Sequence, residues 1–543
     1  MLVVFPSGSH YCFNGNCGDY YWGVNEHDAI WHISVANASF KSFPPLSPIF
    51  AGSLLSGYNL IIDLILHLFS IVKISPFIMY FKILPVIWFV GFSYMAIILA
   101  KRISKEKIFT LVFLFLSYFG ASITFLIPLI REKTIIGNVS LSVTQQILTL
   151  TNIQLAFSYI LLFWTLFILL GKKLSIKHFI LLGLIVGLQW GLKFYTGFIA
   201  TNIVCITLII RWLKNKNLNN IFSIIFIGLC SIAAIILTYN PLGSIKQGSI
   251  FVFNPLALVW PLVEERSLLY SSYLANAKYY LLSLNRFSPR LIVLELVLIA
   301  IYIVLNFGPR ILGLFYLLKT SLRKQAKDVD IAVLLSVVVS ISMALLFVQR
   351  GSWWNVVQFL FPVFILLNLY TASFISSIKN NNLKVALFVL IIIFSLPYTY
   401  DALKDYAKYP GEIYINDVEL SALSYLKKVP NGVVYVPLYR KSLELNIGEL
   451  TPMSYHVDSS YISAYTDKQL LYSSQGQLEL LNVDYQDRKK RIEQGDCSLV
   501  SKIDYAYFHK SQTDLFIKKC IEGNVKFKAE YTVSDFFIYS KIN

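Results

Sequence analysis

Glu26, His27, Asp28 and His32 fall within seven consecutive positions of the stretch GVNEHDAIWHISVANASFKSFPPLSPIFAG, residues 23 to 52. A carboxylate beside an imidazole can take a proton from an acceptor hydroxyl, and as a set these side chains suit a divalent metal ion as cofactor. Asp28 and His32 are four apart, so a helix starting near His27 puts both on one face. Glu26 then lies at the helix start, where negative charge is favoured. The plainer alternative is a solvated loop whose acids only cap that helix.

The elements that must position this group are mostly apolar. Hydrophobic residues make up 56% of the chain, charged residues 14%, and the mean hydropathy is +0.62, beyond what a soluble globular chain carries. The composition therefore reads as a polytopic α-helical membrane protein. A spanning helix needs about 20 mostly apolar residues. Such stretches are expected at 77–100, 107–130, 151–171, 178–193, 195–212, 220–240, 290–318, 331–349, 356–378 and 383–400, ten in all.

Five short links carry most of the charge. KRISKEK (101–107), KKLSIKH (172–178) and RWLKNK (211–216) each carry +3, KTSLRKQAK (319–327) carries +4 and the Lys379 to Lys384 link +2. Together these make 15 of the formal +17, and all fall on one side of a ten-span arrangement. The positive-inside rule makes that side cytoplasmic, so the basic balance reports topology and gives no reason to invoke nucleic acid.

The same parity places the opening loop, the 131–150 and 241–289 connections and the C-terminal region together on the outer face. Residues 54–72 (LLSGYNLIIDLILHLFSIV) would invert this order if they crossed. They read instead as a juxtamembrane helix, with Asp63 and His67 one turn apart on one side. The domain plan is an outer catalytic-type loop and juxtamembrane helix over 1–76, a transmembrane domain over 77–400 and a small soluble α/β domain over 401–543. An outer opening loop needs a leading helix to carry it across, so a further spanning helix is expected ahead of Met1.

Cys205 and Cys230 read as packing residues inside helices. Cys12 with Cys17, and Cys497 with Cys520, fall in outer segments as either disulfides or free thiols. In the C-terminal region, helical spacing marks 415–428 and 512–523, and a second helix opens near 484. Strands are expected at 432–438 and 503–508, followed by a final hairpin. No phosphate-cradling glycine loop or nucleophile elbow occurs there.

The order of motifs resembles the GT-C superfamily of integral-membrane glycosyltransferases, of the bacterial type that uses polyprenyl-phosphate sugars. In plan it is related to protein O-mannosyltransferases and aminoarabinose transferases. The likeness is carried by Trp22, Gly23, Asn25, His27, Asp28, Trp31 and His32, then Phe43, Pro44, Pro45, Pro48, Ala51 and Gly52. It continues with Gly191, Lys193, Tyr195 and Gly197; Asn306, Gly308, Arg310 and Gly313; Trp354, Asn355, Gln358 and Phe359; and the tail LLNVDYQDRKKRI. Asn59 stands where that pattern has a histidine.

The resemblance implies a glycosyltransferase of the cell envelope, moving a hexosyl or pentosyl group from a lipid-linked donor in the membrane to an unknown acceptor at the outer face. It makes Asp28 the catalytic carboxylate, with Glu26, His27 and His32 as supporting or metal-binding side chains. The departing polyprenyl phosphate needs outer-side cations. Lys193, Arg350, Arg131 and Lys133 fit by topology, and Glu264, Glu265 and Arg266 stand in the large outer loop, which reads as a lid or an interfacial cover. Arg310 is expected about 13 Å from the inner end of its helix, paired or snorkelling past Pro309. A transporter or flippase of a lipid-linked substrate, or a non-catalytic GT-C-like protein, is the alternative reading.

Overall fold

The computed structural model describes residues 3–135, 150, 152–171, 174–241, 251–284, 288–324, 326–350, 353–406, 411, 413–438, 451–455 and 460–542. The residues around Asp28 do form a helix, α1 (Asp28–Ala38), and α2 (Ile61–Ile71) follows an irregular stretch. Eleven residues of α2 span about 16 Å at 1.5 Å each, too short to cross the hydrocarbon. Its outward side chains Leu68, Ile71 and Val72 are exposed, as suits a helix lying along an apolar boundary.

Among the described residues, ten further helices build the apolar bundle. They are α3 (Pro76–Ile103), α4 (Lys107–Phe119), α5 (Ile153–Leu169), α6 (Ile176–Leu192) and α7 (Phe194–Asn215), then α8 (Leu218–Tyr239), α9 (Pro289–Ser321), α10 (Asp328–Leu346), α11 (Trp353–Ser377) and α12 (Asn381–Tyr406). Seven of these are long and apolar enough to cross a membrane, fewer than the ten expected. The exceptions are α4, with 13 residues, and α5 and α6, with 17 each. The expected 107–130 span breaks at Gly120, whose Cβ position is taken by the Leu116 carbonyl and the Arg310 guanidinium, and a separate turn of helix runs from Leu126 to Glu132.

Pairings at the helix ends sort the connections as the charge pattern requires. Lys214 Nζ lies 2.6 Å from Asp328 Oδ1, and Lys384 Nζ lies 2.8 Å from Glu106 Oε2, so four of the basic links meet in pairs at one end. At the other end the Gly57 amide donates to the Tyr239 carbonyl (2.7 Å), and the Tyr195 hydroxyl donates to Gln349 (3.1 Å). The starts of α2 and α7 and the ends of α8 and α10 therefore share one face.

The C-terminal region is a small α/β unit. Its five-stranded sheet joins Val433–Tyr435, Gln469–Leu470, Tyr505–His509, Phe527–Val533 and Phe536–Lys541, the last two pairing as the expected hairpin. A helix at Asp417–Lys428 and another at Gln486–Glu493 match the spacing, whereas the expected helix at 512–523 is reduced to one wide turn, Ile517–Ile521.

This unit is not joined to the opening loop by sequence alone. An N-terminal hairpin, Ser9–Phe13 with Asn16–Tyr21, pairs its second strand antiparallel with Ile413–Asn416, from Gly18 opposite Asn416 to Tyr21 opposite Ile413. Gly18 has no alternative there, because a Cβ would lie 2.0 Å from the Ile415 carbonyl oxygen. The opening loop and the C-terminal unit thus lie on one side of the bundle. Cys12 is bonded to Cys17 across the hairpin and Cys497 to Cys520, while Cys205 and Cys230 are free thiols within α7 and α8.

Candidate functional site

Three elements meet where the opening loop faces the bundle. A turn at Gly23–Glu26 leads into α1 and is held from inside: buried Asn25 donates its amide to the Trp22 carbonyl at 2.9 Å. Asp28 is the acidic residue of the first turn of α1, where the exposed amides favour a carboxylate. Its side chain stays 48% exposed, with Oδ1 3.2 Å from His27 Nδ1. One turn further, His32 is buried, and its Nδ1 lies 2.8 Å from Oδ1 of Asp63 on α2. Gln154 Nε2 also lies 3.2 Å from that Nδ1, and the Tyr58 hydroxyl lies 3.3 Å from the other ring nitrogen, Nε2.

Tyr58 and Tyr80 close the other side. The His32 ring stacks on Tyr80, centroids 6.1 Å apart, and Tyr80 lies within electrostatic reach of both Asp28 and Asp63. Burial, then the Asp63 and Asp28 carboxylates, push the Tyr58 phenol well above its ordinary pKa. Burial likewise raises Asp63, opposed by the His32 partner. Asp63 Oδ2 and the Tyr80 hydroxyl are both buried without a hydrogen-bond partner among the described residues. Asn59 and Gln154 satisfy each other: Asn59 donates to the Gln154 side chain, whose amide donates to the Asn59 carbonyl at 3.2 Å.

The third element is the break between α6 and α7. Lys193 takes an extended conformation there (φ −157, ψ 121) and caps the start of α7. Two glycines allow that break to sit against the loop. A Cβ on Gly191 would lie 2.4 Å from Ile61 of α2, and one on Gly197 would lie 2.7 Å from the Trp190 backbone. Lys193 Nζ stands 6.0 Å from the centre of the Tyr195 ring. Burial lowers the Lys193 ammonium to about 8, and the Asp28 carboxylate pulls it back up, so the two groups act on each other across the site.

With that geometry in view, the chain is similar to two solved structures. One is the archaeal oligosaccharyltransferase AglB from Archaeoglobus fulgidus, in complex with an inhibitory peptide and a dolichol-phosphate: TM-score 0.49, 11% identity, over 94% of this chain and 68% of that chain. The other is ArnT from Cupriavidus metallidurans in the apo state, at TM-score 0.36, 10% identity, over 100% of this chain and 96% of that chain. The chain matches no family model and no curated protein.

The remaining expected residues are spread more widely. Arg131 donates from Nη1 to the Arg266 and Leu268 carbonyls, clasping the outer loop rather than facing the site. Lys133 ends the Leu126–Glu132 helix in the left-handed region (φ 59) and is exposed. Glu264 is held by Lys278 at 2.7 Å and by the Tyr279 hydroxyl at 3.1 Å, while Glu265 and Arg266 are exposed on the segment that Arg131 clasps. Arg350 is exposed at the end of the strand Phe347–Gln349, which pairs with Phe251–Phe253 of the same outer loop. Residues 136–149 and 242–250 of the outer connections lie outside the described residues.

Arg310 is buried where α9 breaks at Gly308. Its Nε donates to Asn368 at 2.8 Å and its Nη2 to the Gly120 carbonyl at 2.6 Å, so it pairs rather than snorkels. Sequence reasoning placed Asp63 with His67, yet Asp63 faces His32, while His67 Nδ1 donates to the Ala36 carbonyl at 2.9 Å. Tyr58 and Tyr80 went unnoticed, since a tyrosine at a membrane boundary carries no signal of its own. Among the described residues, no three His, Cys, Asp or Glu side chains gather as a metal site. His27 with Asp28, and His32 with Asp63, stand as two separate pairs.

Proposed function

We propose that the chain is a glycosyltransferase that moves a sugar from a polyprenyl-phosphate donor to an acceptor hydroxyl on the face shared by α1 and the C-terminal unit. The observation that carries this reading is that half-exposed Asp28 and Lys193 lie within electrostatic reach of each other where α1 meets the break between α6 and α7. Asp28 takes the proton of the acceptor hydroxyl as its oxygen bonds to the anomeric carbon. The anomeric C–O bond to phosphate breaks, and the electron pair leaves with the polyprenyl phosphate. That leaving group gains a negative charge, which the Lys193 ammonium meets. No step is routed through a metal.

Further support comes from the motif resemblance and from the cysteines. The two disulfides lie on the side of α1, as an oxidising outer compartment requires, and the free thiols lie inside helices. A transporter needs charges along a path near mid-membrane, but Arg310, a buried cation of the described helices, is committed to Gly120 and Asn368.

The test is sugar transfer from defined polyprenyl-phosphate donors by the full chain in lipid, wild type beside Asp28→Asn, with and without added divalent metal. Transfer by wild type and its loss in the variant is the expected result. Equal transfer by both removes Asp28 from the mechanism, and absence of transfer with every donor favours the transporter or scaffold reading.

A further inference from the structure

A cavity of about 370 Å³ opens at the end of the bundle opposite Asp28 and Lys193. Its volume lies in the range of small-molecule sites. It is set among the basic links, between the inner ends of α3 and α5, the connection from α9 to α10, and the last turns of α11. By the positive-inside rule this is the cytoplasmic leaflet, and the inference is independent of the transfer reaction proposed above.

The lining divides by chemistry. Phe109, Leu166, Val333 and Leu366 make an apolar floor inside the helices. At the rim stand two exposed cations, Arg323 and Lys327. Between floor and rim sits Asp330, whose Oδ1 accepts the Tyr370 hydroxyl at 2.9 Å. Four hydroxyls of the lining, Thr320, Ser373, Ser376 and Ser377, donate their protons to carbonyls of their own helices, at 3.0, 3.0, 3.1 and 2.7 Å. Such hydroxyls present lone pairs, and so act toward a ligand as acceptors.

The cavity therefore offers positive charge at its mouth and a carboxylate with acceptor oxygens deeper in, beside hydrocarbon. A simple anion would be opposed by Asp330, and a simple cation by Arg323 and Lys327. One class of ligand satisfies both: a phosphodiester joined by a short arm to a primary ammonium, with acyl chains attached. We propose that this cavity binds a zwitterionic aminophospholipid, phosphatidylethanolamine in chemistry. Its phosphodiester lies on Arg323 and Lys327, and its ammonium donates to Asp330 and the hydroxyl oxygens. A trimethylated ammonium lacks those donors, and an anionic glycerol headgroup lacks the charge.

The experiment is lipid exchange on the full chain in detergent, read by native mass spectrometry. It offers equal phosphatidylethanolamine, phosphatidylglycerol and phosphatidylcholine, with glycerophosphoethanolamine as the soluble counterpart. Wild type should retain phosphatidylethanolamine about tenfold over either other lipid, and over the soluble headgroup. The double variant Arg323→Ala/Lys327→Ala should lose that retention. Asp330→Asn should turn the preference toward phosphatidylglycerol. Because the readout is a ratio among ligands on the folded population, a loss of yield does not imitate it. Equal retention of the three lipids by wild type, unchanged ratios in the variants, or soluble headgroup held above the lipid would each overturn the proposal.

Discussion

His32 on α1 and Asp63 on α2 form a pair closed to solvent, Nδ1 to Oδ1 at 2.8 Å, with side-chain exposures of 7% and 0%. It ties the helix that carries Asp28 to the helix that lies against α6. Removing one partner of a buried pair strands the other, at a cost of about 3–5 kcal/mol, whereas replacing both by apolar residues can be neutral. Asp63→Ala is therefore expected to lower the thermal midpoint of the full chain sharply, and His32→Leu with Asp63→Leu to recover most of the loss. Additive losses in the double variant would show that the two residues act separately.

Asp28→Asn keeps the shape of the first turn of α1 and removes the base. Sugar transfer should fall by about 10²–10⁴ in turnover, the contribution usual for a positioned base, with donor affinity little changed. Turnover with defined donor, alongside direct donor binding, separates the two effects.

Burial lowers the Lys193 ammonium to about 8. A group lowered in this way loses its charge as pH rises through that value, so donor affinity should hold below about pH 8 and decline above it. Lys193→Arg stays charged throughout and should flatten the decline, whereas Lys193→Gln should weaken binding by about tenfold or more at every pH. Donor binding between pH 6.5 and 9.5 checks all three.

In the C-terminal unit, fully buried Glu419 accepts from the Tyr461 hydroxyl at 2.6 Å and from Tyr507 at 2.9 Å, and burial lifts its carboxyl from 4.5 to about 7. A raised carboxyl stabilises the fold fully below its unfolded value, and that contribution is lost as pH rises through the folded one. Stability should therefore fall by up to about 3 kcal/mol between pH 4.5 and pH 7. Glu419→Gln should remove that slope, as read from thermal unfolding across the interval.

Arg310 makes two charge-assisted hydrogen bonds, to Asn368 and to the Gly120 carbonyl. Lysine cannot reach both with one ammonium. Arg310→Lys is expected to cost about 2–3 kcal/mol, visible as a lower thermal midpoint with donor affinity unchanged.

Much of the plan was legible in the sequence. Links such as those carrying Lys214 and Lys384 sort by charge, which reports sidedness directly, and their partners Asp328 and Glu106 stand on the same side. The helix that opens at Asp28 was legible from the four-residue spacing of Asp28 and His32. What stayed hidden depends on contacts between segments far apart in the chain. The pairing of Asp63 with His32 crosses an irregular stretch with no period to read, so Asp63 was matched with His67 on its own helix. Arg131 looked like a free outer cation, because its acceptors are carbonyls, which every residue possesses. Span lengths were overcounted at α4, because the break at Gly120 is imposed by Arg310 from another helix.

The strand from Gly18 to Tyr21 leads directly into the turn that carries Asp28, and its outer neighbour is Ile413–Asn416. Every helix of the bundle is made between those two strands. A ribosome must therefore finish the entire bundle before this sheet can close, and the loop with Asp28 waits, paired on one edge only, until the last quarter of the chain arrives. Assembly of the site is a late event in biogenesis, and a nascent chain stopped before residue 413 would hold α3 to α12 and still lack a fixed place for its carboxylate.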